Sequence, residues 1–182
     1  MDFVYTPAVW QSFFDVVSVA AATLTGLLAV ALSINPRALA ASPARIARAR
    51  EGLIALTVLL TVSIFVLIPQ QGRVALGMEL IILSIIVFVV SVRLQVMTTR
   101  MLPAPKRRRW ILRILGLNSA TLAITLAGAS LIIGKLGGLL WLLHTTLYCL
   151  VWSTYNAWSL TIRMPGALEG ERPSDSHQDP IA

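Results

Sequence analysis

The sequence predicts an all-α integral membrane protein with five transmembrane helices, its N-terminus outside and its C-terminus in the cytoplasm. Three observations lead to this prediction: the apolar composition, the length of the apolar blocks and the uneven placement of basic residues. Of the 182 residues, 57% are hydrophobic and 13% are charged, and the mean hydropathy is +0.79. Soluble domains carry about 25% charged residues, so this chain has roughly half the usual share.

Five apolar blocks of 17 to 25 residues are separated by short connections. A helix needs about 20 residues to cross a hydrocarbon layer about 30 Å thick, and lipid requires every backbone polar group to bond within the protein. We therefore predict one transmembrane domain over residues 1–164. Its predicted spans are 10–34, 52–68, 74–97, 111–134 and 138–162. Residues 165–182 are short, polar and rich in Pro, Gly, Ser and acidic residues, which predicts a disordered cytoplasmic tail.

Basic residues determine the predicted orientation. In chain order the four connections contain 4, 1, 5 and 1 of them. Basic residues in short loops stay cytoplasmic, so the first and third connections are expected inside. The pair Ser42-Pro43 is typical of a helix start, so the second helix is expected to begin in the cytoplasm. The basic side chains expected to face anionic lipid headgroups are Arg45, Arg48, Lys106, Arg107, Arg108 and Arg109.

Several function classes are disfavoured by the composition. The net charge of +7 is concentrated in the two predicted inner loops, which favours a role in topology and predicts no nucleic-acid partner. Cys149 is the only cysteine, so neither an intramolecular disulfide nor a multi-thiolate metal site is expected. The chain contains no GxSxG, HExxH or GxxxxGK[ST] motif and no histidine pair for haem. We therefore predict no enzyme activity, no cofactor and no metal site.

Three titratable residues interrupt the apolar spans: Asp15, Glu79 and His144. Each costs about 2.5 kcal/mol or more in the hydrocarbon region, so each calls for an explanation. All three lie five or six residues into a span that enters from outside, which predicts a common depth of about 7 to 9 Å. They are thus candidates for one proton-binding or cation-binding cluster. The alternative is structural: carboxylates near helix N-termini reach the water, and the histidine is a satisfied interior residue.

Helical periodicity places most other polar residues on stripes. On the first helix the stripe consists of Asp15, Ser18, Ala22, Gly26, Ala29 and Ser33. On the third it is Gly77, Ser84, Ser91 and Gln95, and on the fourth it is Asn118, Thr121, Thr125 and Gly128. On the fifth it is His144, Tyr148, Trp152, Tyr155 and Ser159. Small residues allow close helix packing, so Asp15 is interpreted as pointing into protein, at a packing centre or an oligomer seam. The stripes line a polar route or, by default, form a hydrogen-bonded core.

The stretches FFDVVSVAAATLTGLLAVALSIN (13–35) and YNAWSLTIRMP (155–165) carry a resemblance. Together with Asp15, Asn35 and Glu79, they resemble small multi-span membrane proteins encoded in high-GC bacteria. The use of Arg for 13 of the 15 basic residues is compatible with a GC-rich genome. The resemblance implies a bacterial protein, expected in the cytoplasmic (inner) membrane. It implies no activity and no functional residue.

The functional hypothesis is a small oligomeric channel or transporter-like protein that passes protons or small cations at the outer side of the bundle. Asp15 would be the reversible charge, His144 would tune or relay its proton, and Glu79 would attract cations. Asn118 and Tyr148 are expected to line the pathway. The expected partners are the bilayer with its anionic headgroups and further copies of the chain or another membrane protein. The alternative is a non-catalytic accessory or structural subunit of a larger membrane complex.

Overall fold

A computed structural model describes residues 2–34, 36, 43–100 and 107–162, with side chains over 4–34, 36, 45–97 and 118–158. In these ranges a short 3-10 helix, Asp2–Tyr5, precedes five α-helices, and no strand is present. The α-helices are α1 (Pro7–Ile34), α2 (Pro43–Leu67), α3 (Arg73–Arg100), α4 (Arg107–Ile133) and α5 (Leu140–Ile162). The prediction of an all-helical chain is confirmed.

Three helical stretches are long and apolar enough to cross a membrane: Pro7–Ile34, Arg45–Leu67 and Arg73–Met97. A shorter apolar helix covers Asn118–Ile133 within α4. Large aliphatic side chains cover the outer surface of the bundle, among them Val16, Ile85, Leu147 and Val151, each more than half exposed. A surface of this kind suits contact with lipid rather than water. The prediction of a membrane protein is confirmed at this level.

The helices run further than the apolar blocks, because backbone hydrogen bonding continues into polar residues. Arg45 and Arg48 lie within α2, and α4 starts at Arg107, so residues 107–109 form its first turn instead of a loop. Pro43 begins α2, as the sequence predicts. Lys106 and the predicted tail, residues 165–182, lie outside the described residues.

Neighbouring helices in the bundle are antiparallel. The main contacts join α1 to α2, α2 to α5, α5 to α4 and α4 to α3. In each of these pairs the two helices run in opposite directions along the chain path. The fully buried side chains between them include Phe14, Leu28, Leu56, Leu59, Leu80, Ile124, Leu131 and Leu142. The order of contacts leaves α1 and α3 each with one main neighbour, so both present a broad outer face.

The 3-10 helix, the α2–α3 turn and the α4–α5 turn meet at one end of the bundle. The backbone N–H of Leu139 donates to the carbonyl of Val4 at 2.9 Å, and that of Gly137 donates to the Tyr5 hydroxyl at 3.2 Å. A Cβ built on Gly134 would lie 3.1 Å from the Arg73 guanidinium, so the two turns also touch. We refer to this end, which the sequence predicts to be outside, as the turn end.

Candidate functional site

The polar stripes of α3 and α4 are used to pack these two helices together. A Cβ built on Gly77 would lie 2.8 Å from the carbonyl oxygen of Gly128, so the two backbones are in direct contact. One turn before Gly128 on α4, the Thr125 hydroxyl proton is shared between Ser84 Oγ of α3 at 3.0 Å and the Thr121 carbonyl of its own helix at 3.1 Å. The Ser84 hydroxyl donates to the Ile81 carbonyl of α3 at 2.8 Å. For these two stripes, the structure agrees with packing rather than with a polar route.

A small void lies between α2, α3, α4 and α5, lined mainly by aliphatic side chains. Its volume is about 10 Å³, which is at the lower limit for a single water molecule. The polar residues at its wall include Thr145, whose hydroxyl is engaged with the Ala120 carbonyl at 3.1 Å. A chain of water molecules does not fit in this void.

Asp15 lies on the exposed face of α1, so it is not at the packing centre of a single chain, and its position at an oligomer seam stays a prediction. The buried face of α1 consists of Phe14, Val17, Ala21 and Leu28. Bulky side chains fill the interface with α2 better than small ones, and their spacing turns the small-residue stripe outward. No described residue forms a hydrogen bond or an ion pair with the Asp15 carboxylate. Of the three membrane-spanning candidates, the helix that carries Asp15 is the least buried.

The remainder of the α1 stripe is also open. Ala22, Gly26, Ala29 and Ser33 are exposed, and a Cβ built on Gly26 would meet no atom within 4 Å. The hydroxyls of Ser18 and Ser33 donate to carbonyls of their own helix at 2.8 Å. These hydroxyls need no outside partner, so the carboxylate of Asp15 is the one strongly polar group on the described part of this ridge. We call Asp15, Ala22, Gly26, Ala29 and Ser33 the α1 ridge.

Glu79 is half-buried at the turn end. Its carboxylate accepts a hydrogen bond of 2.6 Å from the side-chain amide of Gln71, in the α2–α3 turn. Ile82 and Ile86, on the same side of α3, are exposed. Glu79 is thus anchored to a turn, in agreement with the alternative that it reaches toward water at a helix N-terminus.

His144 is exposed on α5, beside an open groove. Its Nε2 lies 3.3 Å from the hydroxyl oxygen of Ser119 on α4. The groove has a volume of about 300 Å³ and is lined by His144, Leu147, Tyr148, Val151 and Trp152. The rings of Tyr148 and Trp152 stack nearly parallel, with centroids 5.9 Å apart. We call these five residues the α5 groove.

Two contacts give different levels for Asp15 and His144 along the bundle. The Val4–Leu139 hydrogen bond leaves Asp15 eleven residues and His144 five residues from that contact at the turn end, whereas contacts at Gly52 leave the two residues at similar distances from Gly52. Gly52 of α2 is a common reference, since a Cβ there would lie 3.3 Å from Leu28 of α1 and 3.6 Å from Asn156 of α5. Asp15 precedes Leu28 by 13 residues and His144 precedes Asn156 by 12. At 1.5 Å per residue these separations are about 19.5 and 18 Å toward the turn end.

Glu79 lies at a different level from His144. Gly77 meets Gly128 on α4, whereas His144 meets Ser119, nine residues further along α4. Glu79 follows Gly77 by two residues, so it lies about 10 Å nearer the turn end than His144. The structure therefore separates Glu79 from His144 along the bundle. Asp15 and His144 form no hydrogen bond with each other within one chain.

Asn118 and Tyr148, the two other predicted pathway residues, are half-buried. The Asn118 Oδ1 is buried and accepts no hydrogen bond from a described residue, while Tyr148 forms part of the α5 groove. Sequence reasoning missed Ser119, because it lies off the polar stripe of α4. The only feature of the sequence that points to Ser119 is its position next to Asn118.

In the described part of the chain, no group of three or more His, Cys, Asp or Glu residues is arranged to hold a metal ion. The basic residues Arg45 and Arg48 are half-buried at the end of the bundle opposite the turn end. Comparison of the chain with protein-family models, curated proteins and solved structures finds no match. The function must therefore be argued from the geometry of this chain alone.

Proposed function

We propose that this protein is a small oligomeric channel or transporter-like protein that passes protons or small cations near the outer side of the membrane. All five helices span the cytoplasmic membrane of a bacterium, with the N-terminus outside and the C-terminus inside. Asp15 supports this proposal most directly. It is an exposed carboxylate in an apolar helix, without a partner among the described residues. A charge in contact with lipid tails costs about 2.5 kcal/mol or more, so the site calls for water, a cation or another chain.

The pathway lies between chains rather than through one chain. The polar stripes of α3 and α4 are used in packing, and the void among the helices is too small for a water chain. Two of the predicted pathway residues, Asp15 and His144, both face outward. An interface between copies is the place where outward-facing groups become enclosed.

Each predicted residue has a role in this proposal. Asp15 binds and releases the proton or cation, and His144 relays the proton, since one of its two ring nitrogens can accept a proton while the other donates one. Ser119 orients the His144 ring through the contact at Nε2. Glu79, nearer the turn end, attracts cations at the mouth, and Asn118 and Tyr148 line the continuation toward the inner side. The basic residues at the opposite end, including Arg45 and Arg48, bind anionic lipid headgroups.

The test is proton and monovalent-cation flux into liposomes that contain the purified protein. Wild type is compared with Asp15→Asn at equal incorporation. Thr23→Val is the matched control, since Thr23 is exposed on the same helix, lies off the α1 ridge and its hydroxyl bonds to the Val19 carbonyl of that helix. Wild type and Thr23→Val are expected to conduct, and Asp15→Asn to match empty liposomes. Absence of flux in wild type rejects the proposal.

A second candidate function is a non-catalytic accessory subunit. The α1 ridge favours it as well, because small residues allow a partner helix to approach closely and Asp15 supplies a polar anchor. This candidate predicts no flux from the purified protein and co-purification with a larger membrane complex. Loss of that complex in Asp15→Asn, with Thr23→Val unaffected, would support it.

A further inference from the structure

We infer that one water molecule is bound inside the bundle between Ser91 of α3, Asn118 of α4 and the carboxyl group of Glu51 on α2. The site is interior, so it differs from the outward-facing positions of Asp15 and His144 and does not rest on the proposed function. It lies beyond the midpoint of α3 as counted from the turn end. The ligand is identified by the buried polar atoms and by the size of the space beside them.

Ser91 is the exception among the buried serines. It is 1% exposed, and its Oγ forms no hydrogen bond with any described residue. The other buried serines of the described chain each donate to a carbonyl oxygen: Ser63 to Leu59, Ser84 to Ile81, Ser130 to Lys135 and Ser153 to Gly52. A buried hydroxyl that has left water and gained no partner is unfavourable. Ser91 therefore requires a partner that the described side chains and backbone do not supply.

The spacing along α3 and α4 places Asn118 opposite Ser91. The reference is the hydrogen bond of 3.0 Å between Thr125 and Ser84. Ser91 follows Ser84 by seven residues, which is two turns further from the turn end on nearly the same helix face. On the antiparallel α4, Asn118 precedes Thr125 by seven residues in the same direction. The Asn118 Oδ1 is buried and accepts no hydrogen bond from a described residue, so two polar atoms without partners face one space.

Glu51 closes this space from α2. The small void of the bundle is lined by Ala55 of α2 and Val87 of α3, among others. Glu51 precedes Ala55 by four residues, so it lies one turn beyond the void on the same face of α2. Ser91 follows Val87 by four residues and has the same relation to the void on α3. Because Glu51 is only 8% exposed, its side chain is enclosed by the bundle at the level of Ser91.

Water fits this arrangement in size and in chemistry. The void has a volume of about 10 Å³, close to the single probe sphere that one water molecule needs. Asn118 Oδ1 only accepts hydrogen bonds, the Ser91 hydroxyl donates and accepts, and a carboxyl group accepts in either protonation state. A buried water is held by two to four such partners, whereas Ca²⁺ takes six to eight oxygen ligands. The three side chains therefore suit water rather than a hard cation.

The bound water links parts of the bundle that are not main neighbours. The main helix contacts join α3 to α4 and α2 to α5, so α2 meets the α3–α4 pair mostly across the interior. A water molecule between these helices connects them by hydrogen bonds. It also gives the Glu51 carboxyl a further partner within a membrane-spanning segment, where a polar group needs hydrogen bonds.

Removal of the Ser91 hydroxyl tests the site, because the two alternatives predict opposite signs. If the hydroxyl holds a water molecule, Ser91→Ala shifts the SDS midpoint of unfolding to a lower SDS fraction. If the hydroxyl is buried without a partner, alanine removes an unsatisfied polar group and the midpoint rises. Ser63→Ala is the matched control, since Ser63 is 0% exposed and bonds only to the Leu59 carbonyl of its own helix. We expect a larger downward shift for Ser91→Ala than for Ser63→Ala, and an equal shift, no shift or a rise overturns the inference.

A crystal structure of the full chain, grown from lipid, tests the ligand directly. We expect density for one ordered water within about 3.2 Å of both Ser91 Oγ and Asn118 Oδ1. Empty space there, or a direct hydrogen bond between these two side chains, overturns the inference even if the midpoint falls. A double-mutant cycle of Ser91→Ala with Glu51→Gln is expected to be non-additive, because both residues contact the same water. Additive shifts would exclude Glu51 from the site.

Discussion

Gly77 of α3 and Gly128 of α4 face each other so closely that each occupies the space a side chain on the other would need. A Cβ on Gly128 would lie 2.6 Å from the Gly77 carbonyl oxygen, and one on Gly77 would lie 2.8 Å from that of Gly128. Backbone atoms cannot rotate away as a flexible side chain does. The register of α3 against α4 therefore depends on these two glycines.

Alanine at either glycine should destabilise the bundle. We expect Gly77→Ala and Gly128→Ala each to lower the free energy of unfolding by about 1–3 kcal/mol, because the helices must separate to admit the methyl group. Titration with SDS in mixed micelles measures this change. Gly26→Ala is the control, since that Cβ meets nothing within 4 Å and alanine favours helix by about 1 kcal/mol. Equal losses at positions 26 and 128 would contradict the packing argument.

The hydrogen bond between Thr125 and Ser84 should couple the same two helices. A double-mutant cycle with Thr125→Val and Ser84→Ala is expected to give a coupling energy of about 0.6 kcal/mol, the average for bonds between transmembrane helices. Thr23→Val measures the effect of removing a threonine hydroxyl that bonds only within its own helix, since Thr23 donates to the Val19 carbonyl on an exposed face of α1. It is therefore the control for Thr125→Val. Additive effects of the two substitutions on unfolding would show that the bond contributes nothing.

The contact of Gly138 with the 3-10 helix predicts a third effect. Gly138 has a φ of 52°, and a Cβ there would collide with the Val4 carbonyl oxygen, which accepts the Leu139 N–H. Gly138→Ala is expected to lower the thermal midpoint in detergent and to expose the N-terminal segment to protease. Gly72→Ala, in the other turn, meets nothing within 4 Å and should leave both unchanged. If the two variants behave alike, Val4 does not hold the α4–α5 turn in place.

The proposed orientation is tested by labelling single cysteines with a membrane-impermeant maleimide. In the Cys149→Ser background, Gly72→Cys and Lys135→Cys lie in the two turns at the turn end. We expect both to react in intact cells, and Ser176→Cys to react only after permeabilisation. The expectation follows from the single basic residues in these turns, against four and five in the other two connections. Reaction of Ser176→Cys alone in intact cells would reverse the orientation.

Much of the fold follows from local sequence patterns. The apolar blocks are long enough to predict the five helices to within a few residues at the turn end, and Pro43 marks the start of α2. The helix bounds at the opposite end differ more, since basic residues such as Arg107 form helix where composition alone indicates a loop. Periodicity also identified the stripe of Gly77, Ser84, Ser91 and Gln95, all of which are buried.

Local sequence patterns did not predict which neighbouring helix each helix face contacts. Periodicity shows that Phe14 and Asp15 lie on different faces of α1, but not which of the two faces contacts α2. The α3 and α4 stripes face each other because of the helix order, which depends on contacts distant in sequence. The level of His144 could not be predicted either. The α4–α5 turn folds back along α4, because the Gly138 N–H donates to Ser130 Oγ at 2.7 Å. The start of α5 therefore lies further from the turn end than the end of α4 does.

The central claim is that the outward-facing carboxylate of Asp15 binds and releases the transported proton or cation. Flux through liposomes containing Asp15→Glu, compared with wild type and Asp15→Asn, tests it most directly, because glutamate keeps the charge and asparagine keeps the shape. The account predicts that Asp15→Glu retains a measurable fraction of the wild-type proton or cation flux, while Asp15→Asn falls to the level of empty liposomes. Wild-type flux in Asp15→Asn would contradict it.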